Sequence, residues 1–401
     1  MSAPSWLVPM LLALLLMLVQ RGTALLARNR HSCRHLCPPL NLLATDQLEG
    51  IRGLRASVLK KLLVDESVNV KGLFDREDLA QRLIQHETGL AKQCSTGRLV
   101  RITFPNALNA YYGLEVVLGP HKLRFLLDSG ATVSLLNKST QLRLGLPSQA
   151  ASSYAHSLGG SGGSPFSSEK VMLQGAEFQG RRFNIQAALV DGASTLPSCD
   201  GLLGLDFLAA LGQDLLLDLP RGEVRAGPRS CLVPPSARAQ WEELPMRRMP
   251  SGLAVADATL SVPSSTSASP GGEVKCSAMI DLGSLYTISN AKATDGLCGP
   301  GALSRLPLSG AVVAGMDGKP LELRTLALAA LRIGNTRVNV PPVPTRAAGR
   351  VLGCYAADVA GLTAVGLNGS PAVIVGIDVL EQLQLLLTVS GGLLIRCESR
   401  E

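Results

Sequence analysis

The chain has 401 residues, enough for two or three domains, and 46% of them are hydrophobic, which excludes an intrinsically disordered protein. Its 41 glycines, 24 prolines, 7 Phe, 5 Tyr and 2 Trp argue against a long coiled coil and against a base-stacking surface for nucleic acids. The net charge of +7 is unevenly placed, because residues 1–101 hold 14 Lys and Arg against 8 Asp and Glu, whereas the remaining residues hold 24 against 23. The larger C-terminal part is therefore nearly neutral.

The N-terminus predicts a targeting segment. An apolar run from Trp6 to Val19 is short for a membrane span, and Gly22 and Ala24 then supply the small-x-small pattern of a signal-peptide cleavage site. Residues 1–24 are predicted as a signal peptide or targeting segment and residues 25–45 as a leader or linker. The first residues lack Lys and Arg, which leaves an uncleaved anchor or an organelle import sequence as alternatives.

The predicted leader indicates the cellular compartment of the protein. We expect the secretory pathway, the extracellular space or an endomembrane lumen, with no membrane span in the mature chain. The stretch after Ala24 is rich in Arg and poor in acids, so a plastid reached by a signal-plus-transit leader is the alternative.

Residues 46–95 predict a small helical hairpin. Apolar residues recur at helical spacing from Leu54 to Leu63, Gly72 interrupts the pattern, and Asp75 precedes a second helix with acids in its first turn. The segment resembles a SAP-like motif, and some SAP motifs bind DNA. Its clear basic residues are few, so we favour an interaction module for a protein partner, or a pro-segment, over nucleic-acid binding; these residues are Lys60, Lys61 and Lys71.

From about Arg101 onward, short apolar stretches alternate with Gly, Ser, Pro and Asn, which predicts all-β structure. Residues 227–252 are rich in Pro, Arg and Ser and predict a linker. This linker would separate two β lobes, 101–226 and 253–401. The nine cysteines are too sparse to be the main support of the chain; Cys298 and Cys354 are the weakly predicted disulfide within one lobe.

The two lobes repeat one pattern, an apolar run ending in Asp and a later apolar-apolar-Gly element. The spacing from Asp128 to Gly204 is 76 residues, and that from Asp281 to Gly376 is 95. The Asp-containing runs read Leu126-Leu127-Asp128-Ser129-Gly130-Ala131 and Met279-Ile280-Asp281-Leu282-Gly283-Ser284. A duplicated architecture is therefore predicted.

Each repeated Asp would lie at a buried turn next to small residues that let a second backbone approach. Two such turns facing each other would bring two carboxylates within hydrogen-bond distance, where like-charge repulsion raises one pKa until the pair shares a proton. One carboxylate of such a pair can accept a proton from water at a peptide carbonyl, while its protonated partner polarises that carbonyl.

At these residues the chain resembles the aspartic protease superfamily, in its retropepsin-like and pepsin-like forms. The resemblance implies a mainly β, bilobal fold of two β-barrels and an aspartic-type endopeptidase acting on protein or peptide substrates. It implies no metal and no organic cofactor, because the nucleophile is water. By the same resemblance Asp128 and Asp281 would be the catalytic carboxylates, and the supporting residues would be Ser129, Gly130, Gly283 and Ser284.

The second lobe departs from the family pattern at Leu282, where the family has Ser or Thr. Three hypotheses remain open. The chain forms one asymmetric dyad from Asp128 and Asp281; or two chains pair through Asp128 as retropepsin dimers do; or the chain is a protease-shaped binding or scaffold protein without turnover.

Two further features are interpreted from their place in the chain. A glycine-rich segment between the two elements of the first lobe is a candidate flap over a bound peptide, and its candidate residues are Gly159, Gly160, Gly162 and Gly163. The matching hairpin turn of the second lobe is predicted at 316–319. Asp206 and Asp378 each precede a short apolar helix and are predicted as structural N-caps.

Overall fold

The structure is a computed structural model that describes residues 45–103, 110–150, 169–191, 196, 198–263, 272–314, 320–345, 349–359, 362, 365–367 and 369–397. The predicted targeting segment, the candidate flap glycines of the first lobe and the hairpin turn of the second lobe lie outside these residues.

Three helices open the described part of the chain, α1 (Thr45–Gly53), α2 (Ala56–Asp65) and α3 (Arg76–Ala91). The two predicted helices are thus three, because the chain leaves the helical conformation around Leu54. Asp75 caps α3, since its carboxylate accepts a hydrogen bond from the backbone N–H of Asp78 at 2.7 Å. The three helices share a small core of their own: Ile51, Leu59, Leu63, Leu79, Ala80 and Leu83.

Strand structure begins before the predicted Arg101, at β1 (Ser95–Arg98), directly after the helices. The strands of the first lobe are β2 (Val100–Ile102), β3 (Tyr111–Leu118), β4 (His121–Leu127), β5 (Leu135–Asn137), β6 (Ser148–Ala150), β7 (Glu169–Phe178), β8 (Arg181–Val190) and β9 (Gly201–Leu203). Two helices accompany them, α4 (Lys138–Leu144) and α5 (Asp206–Leu211). The eight strands form one sheet in the order β2-β3-β4-β9-β5-β8-β7-β6.

Residues 227–252, predicted as a linker, are packed structure between the lobes. They follow β10 (Asp214–Asp218) and β11 (Glu223–Gly227), and they contain α6 (Arg229–Leu232), a 3-10 helix (Pro235–Gln240), β12 (Glu242–Leu244) and β13 (Arg247–Arg248). Cys231, Leu232 and Val233 are buried. The reason is that this segment covers the apolar outer face of the sheet that joins the lobes.

The second lobe begins at β14 (Ala254–Ser261), β15 (Glu273–Ile280) and β16 (Ile288–Ser289), followed by α7 (Ala291–Cys298) and α8 (Ala302–Arg305). It continues with β17 (Leu308–Ala314), β18 (Pro320–Ala327), β19 (Ala330–Ile333), β20 (Thr336–Val338), β21 (Pro342–Thr345), β22 (Gly349–Ala356) and β23 (Ala372–Val375). The last elements are α9 (Ile377–Leu380), β24 (Leu383–Leu387) and β25 (Leu393–Cys397).

The two lobes share an unusual strand arrangement. In the first lobe β9 lies between β4, to which it is parallel, and β5, to which it is antiparallel, and β5 is parallel to β8. In the second lobe β23 lies in the same way between β15 and β16, and β16 is parallel to β22. The repeat seen in the sequence is therefore a repeat of topology.

A sheet of six strands joins the lobes, in the order β1-β11-β10-β24-β25-β12. Its central pair is β10 from the first lobe against β24 from the second, antiparallel, with Leu215 opposite Leu387. The mainly β, bilobal fold implied by the family resemblance is confirmed. Among the residues that the structure describes, no helix is both long and apolar enough to cross a membrane.

The disulfide prediction is wrong. Cys94, just after α3, is bonded to Cys231 in α6, whereas Cys298 and Cys354 are free thiols. Cys354 lies in the interior of the second lobe, where burial raises the pKa of its thiol to about 12. Sequence order gave no sign that a cysteine next to the helices would lie against the segment after β11.

Candidate active site

The two repeated aspartates lie where strands β4 and β15 end. The backbone N–H of Asp128 donates to the Leu203 carbonyl at 2.9 Å, and that of Asp281 donates to the Val375 carbonyl at 3.0 Å. Each aspartate is thereby fixed to the strand that runs parallel beside it. The shared topology of the lobes thus holds both aspartates by equivalent bonds.

The structure brings Asp128 and Asp281 together, and two glycines permit the contact. A Cβ atom on Gly130 would lie 2.6 Å from Cγ of Asp281, and one on Gly283 would lie 2.6 Å from both carboxylate oxygens of Asp128. The N–H of Gly130 donates to Oδ1 of Asp128 at 2.8 Å, and that of Gly283 donates to Oδ1 of Asp281 at 2.8 Å. Any side chain at either glycine would push the two carboxylates apart.

Burial and mutual repulsion raise the pKa of the Asp128 carboxyl well above its usual range. Asp281 raises the pKa of Asp128 both by its charge and by the hydrogen bond between the two side chains. Burial also raises the pKa of Asp281, although the bond from Asp128 and nearby backbone N–H groups oppose the rise. Both carboxyls therefore have a raised pKa and lie within hydrogen-bond reach of each other, an arrangement in which two carboxyls can share one proton. Both residues remain partly exposed to solvent.

Ser129 connects the lobes beside the pair. Its hydroxyl donates to the Ile280 carbonyl at 2.7 Å and accepts from the N–H of Leu282 at 3.0 Å. Leu282, at the equivalent position of the second lobe, is a fully buried apolar side chain and has no hydroxyl to return these bonds. The side-chain hydroxyl bracing at this point is therefore one-sided.

Ser284 contributes to the site through its backbone. Its hydroxyl donates to the Tyr286 carbonyl at 2.9 Å and is thus used locally. Its N–H is among the groups that favour the charged form of Asp281 and so lower the pKa of that carboxyl. The supporting role predicted for Ser284 remains a prediction, with the backbone as its means.

Sequence reasoning missed a mirrored pair of hydroxyl contacts behind the two aspartates. In the first lobe the Ser134 hydroxyl donates to Asp206 at 2.7 Å and accepts from the N–H of Gly204 at 3.1 Å. In the second lobe Thr287, Asp378 and Gly376 make the same contacts, at 2.7 and 3.1 Å. Ser134 and Thr287 each stand six residues after a repeated Asp, so aligning the two repeats would have found them.

The predicted N-cap role of Asp206 and Asp378 is therefore wrong, although a structural role is what the contacts show. The N-cap residue of α5 is Leu205 and that of α9 is Gly376, and neither helix has a side-chain cap. Each carboxylate instead accepts hydrogen bonds from the N–H and the hydroxyl of one residue in its own lobe: Asp206 from Ser134, and Asp378 from Thr287. These carboxylates hold the loops that follow Asp128 and Asp281, through Ser134 and Thr287, and do not form a second acidic pair.

No group of three or more His, Cys, Asp or Glu side chains within the described residues is arranged to hold a metal ion. The site consists of two carboxylates, the glycines that let them meet and the hydroxyls that brace them.

A family model for aspartyl proteases matches residues 114–207. This part of the chain is similar to the aspartyl protease family. The matched aspartyl protease segment includes Asp128, Ser129, Gly130 and Gly204 of the site, whereas Asp281 lies beyond it. The second lobe is linked to the first by the repeated strand arrangement around its own Asp.

Two solved structures are similar to the chain. The aspartic proteinase from Irpex lacteus has a TM-score of 0.48 at 15% identity, over 76% of this chain and 98% of that chain. Conglutin gamma, a basic 7S globulin from lupine seeds, has a TM-score of 0.40 at 12% identity, over 76% of this chain and 95% of that chain. Comparison with curated proteins gives no match.

Proposed function

We propose that the chain is an aspartic-type endopeptidase in which Asp128 and Asp281 activate water to hydrolyse a peptide bond. The observation that carries the proposal is the hydrogen bond between the two carboxyls, which Gly130 and Gly283 permit because neither has a side chain. Because both carboxylates come from one chain, the geometry favours the single-chain dyad over a dimer that pairs two copies of Asp128.

The chemistry needs one proton on the pair. Asp281, as the charged partner, accepts a proton from water, and the resulting hydroxide adds to the carbonyl carbon of the peptide. Protonated Asp128 donates its proton to the carbonyl oxygen as charge develops there. When the tetrahedral intermediate collapses, the C–N bond breaks and Asp281 passes the proton it took from water to the leaving nitrogen. Asp128 recovers its proton from the hydroxyl formed on the carbonyl oxygen, so the pair again holds one proton. Burial raises the pKa of both carboxyls, which favours retention of this proton on the pair.

A binding protein without turnover is the second candidate, and Leu282 is the observation that favours it. The lost hydroxyl removes one of the two braces that would hold the lobes in register at the pair. The remaining contacts of Ser129 and the two glycines still bring the carboxylates together, so we rank hydrolysis first.

The two candidates are separated by assaying the purified full chain on a denatured protein substrate from acid to neutral pH, with and without a statine-type inhibitor. We expect inhibitor-sensitive cleavage, and a loss of at least about a hundredfold in both Asp128→Asn and Asp281→Asn, because each removes one half of the acid–base pair. Asp257→Asn is the matched control, since Asp257 is an exposed carboxylate on β14.

Wild-type protein that cleaves nothing at any pH would contradict the enzyme and leave the binding protein. Loss of cleavage in Asp128→Asn with full activity in Asp281→Asn would contradict the single-chain dyad and support the dimer.

A further inference from the structure

The helical module, formed by α1, α2 and α3 with the loop 66–75, has two different ends. At one end the Arg76 side chain, at the start of α3, donates a hydrogen bond to the Arg52 carbonyl, which lies just before α2. At the other end Glu66, which follows α2, faces His86 of α3, with 3.5 Å between Oε2 and Nε2. These contacts indicate that α2 and α3 run in the same direction and begin at the same end of the module.

The module contacts the body of the protein near the end where α3 finishes. Glu66 forms an ion pair with Arg238 at 2.7 Å, and Glu87 accepts hydrogen bonds from Ser236. Because an α-helix rises by about 1.5 Å per residue, the start of α3 lies about 16 Å along the helix axis from Glu87. The end that holds Arg52 and Arg76, here called the distal end, therefore points away from these contacts.

An aromatic side chain is exposed at the distal end. Phe74 directly precedes Asp75, the N-cap of α3, and its side chain is 93% exposed. An apolar residue at this position often packs against the fourth residue of the helix, which here is Leu79. Leu79 is buried although Phe74 stays in solvent. The fold of the module therefore leaves the Phe74 ring available for an external contact.

Cations surround the start of α2. From Gly50 to Val64 the sequence contains four basic residues and no Asp or Glu. The four basic residues are exposed, and they are Arg52, Arg55, Lys60 and Lys61. Within the described part of the chain, none of the four forms an ion pair with a carboxylate. We call these four residues together with Phe74 the distal patch.

Carboxylates next to Phe74 restrict the kind of partner that fits the distal patch. Asp75, Glu77 and Asp78 are exposed and follow Phe74 in the chain. A nucleic-acid backbone or an anionic membrane carries negative charge along its whole surface and would meet these carboxylates when it covered Phe74. A protein segment can instead place acids opposite the basic residues and an apolar residue against the ring.

We propose that the distal patch docks an acidic segment of a partner protein, with an apolar side chain of that segment packed against Phe74. Charge complementarity selects the acids of the segment, because four exposed cations have no carboxylate partner in this chain's described residues. Burial of the exposed ring supplies the apolar part of the contact. The inference does not depend on peptide hydrolysis, since docking is measured without turnover.

The test measures binding of a fluorescein-labelled synthetic peptide in which Asp and Glu flank a central pair of leucines. Two matched peptides carry Gly in place of the leucines or Lys in place of the acids. Fluorescence anisotropy with the full chain gives the Kd, and a statine-type inhibitor is present so that cleavage does not consume the peptide. Vesicles of anionic phospholipid and double-stranded DNA are assayed in parallel.

Two variants of the distal patch are compared with matched controls elsewhere on the surface. Phe74→Ala is matched by Leu142→Ala, because Leu142 on α4 is also a strongly exposed apolar side chain. The combined change of Arg52→Ala and Arg55→Ala is matched by Arg332→Ala with Arg337→Ala, two exposed arginines that face each other on β19 and β20. Circular dichroism checks that the helices are retained.

The wild type is expected to bind the peptide that has both acids and leucines, and binding should weaken as salt is raised. Phe74→Ala and the Arg52/Arg55 double variant should each weaken binding about tenfold. Both controls should bind as the wild type does, and the lysine peptide should not bind.

Absence of peptide binding to the wild type would overturn the inference, and so would equal affinities in the patch variants and their controls. Binding of vesicles or DNA in place of the peptide, lost in the Arg52/Arg55 double variant, would also overturn it, because the patch would then serve a membrane or a nucleic acid. Equal affinity for the glycine peptide would contradict the contact with Phe74.

Discussion

Ser129 is the residue through which the lobes are hydrogen bonded beside the aspartate pair. One hydroxyl serves two backbone groups of the other lobe, the Ile280 carbonyl and the Leu282 N–H. A symmetric arrangement would share this task between two hydroxyls, but Leu282 contributes only apolar packing. The energetic importance of Ser129 is therefore larger than that of an ordinary half-buried serine.

Replacing Ser129 by Ala tests this asymmetry. We expect Ser129→Ala to lower the free energy of unfolding by about 2 kcal/mol, because it leaves a carbonyl and an N–H without their partner. Urea unfolding followed by circular dichroism measures the change. Ser284→Ala is the matched control; its hydroxyl makes one contact within its own loop, so we expect a loss under about 1 kcal/mol. Equal losses of unfolding free energy in the two variants would show that the Ser129 contacts between the lobes stabilise the fold no more than an ordinary local hydrogen bond does.

The aspartate pair was predictable from the sequence because its signal is local and repeated. An apolar run ending in Asp, followed by Gly two residues later, occurs once per lobe, and the glycines have the close-approach role that their lack of a side chain allows. The Cys94–Cys231 disulfide was not predictable in this way. It depends on how α6 packs in the folded chain against the end of α3, which composition and periodicity do not determine.

At the scale of elements, the loop that follows the repeated Asp in each lobe is hydrogen bonded to a short helix, α5 in the first lobe and α9 in the second. Ser134 bonds Asp206 of α5, and Thr287 bonds Asp378 of α9. Gly204 and Gly376 are needed for this approach: a Cβ on Gly376 would lie 2.5 Å from the Tyr286 carbonyl carbon. The sequence predicted Asp206 and Asp378 as N-caps because an Asp before an apolar helix is usually an N-cap. In the structure their carboxylates instead accept hydrogen bonds from Ser134 and Thr287.

The buried carboxyl of Asp378, which contacts Thr287 in the second lobe, predicts that the stability of the fold depends on pH. Burial raises the pKa of Asp378 to about 6, against an ordinary value of 3.8. A carboxyl with a higher pKa in the folded chain than in the unfolded chain stabilises the fold while it is protonated. The contribution is therefore complete below the unfolded pKa and is lost as the pH rises through about 6. A shift of this size corresponds to about 3 kcal/mol.

The comparison of wild type with Asp378→Asn isolates this contribution. The variant is expected to be less stable at acid pH, because the amide replaces one of the two acceptor oxygens. Its deficit relative to wild type should shrink by up to about 3 kcal/mol between acid and neutral pH. Thermal unfolding at a series of pH values measures both curves, and parallel curves would contradict the raised pKa.

At the scale of the whole molecule, the N-terminal helices are attached to the body by contacts of several kinds. Glu87 of α3 is buried and accepts the N–H and the hydroxyl of Ser236, each at 2.8 Å. Arg238 forms an ion pair with Glu66 at 2.7 Å. The Cys94–Cys231 disulfide closes the same face, and β1 extends the sheet that joins the lobes.

This attachment bears on the two hypotheses for the helices. A pro-segment has to leave, whereas α3 is held by a covalent bond close to its C-terminal end. We therefore favour the interaction module, with a protein partner still to be identified. Disulfides persist in oxidising compartments, so the same bond supports the proposal of a secretory or endomembrane lumen over a reducing one.

The combined change of Cys94→Ser and Cys231→Ser tests how far the helices depend on that bond. The bonded cysteines are 137 residues apart, and loss of a disulfide closing so long a loop is expected to cost about 3 kcal/mol of stability. Hydrogen exchange should quicken across α3, since only the non-covalent contacts of Glu87, Arg238 and β1 would then hold the helices. The loops of Asp128 and Asp281 should keep their protection, because they are fixed by bonds within and between the lobes.

Cys298→Ser, which removes a free thiol of the second lobe, is the control and should exchange as the wild type does. Unchanged exchange across α3 in the double variant would show that the non-covalent contacts suffice to dock the helices.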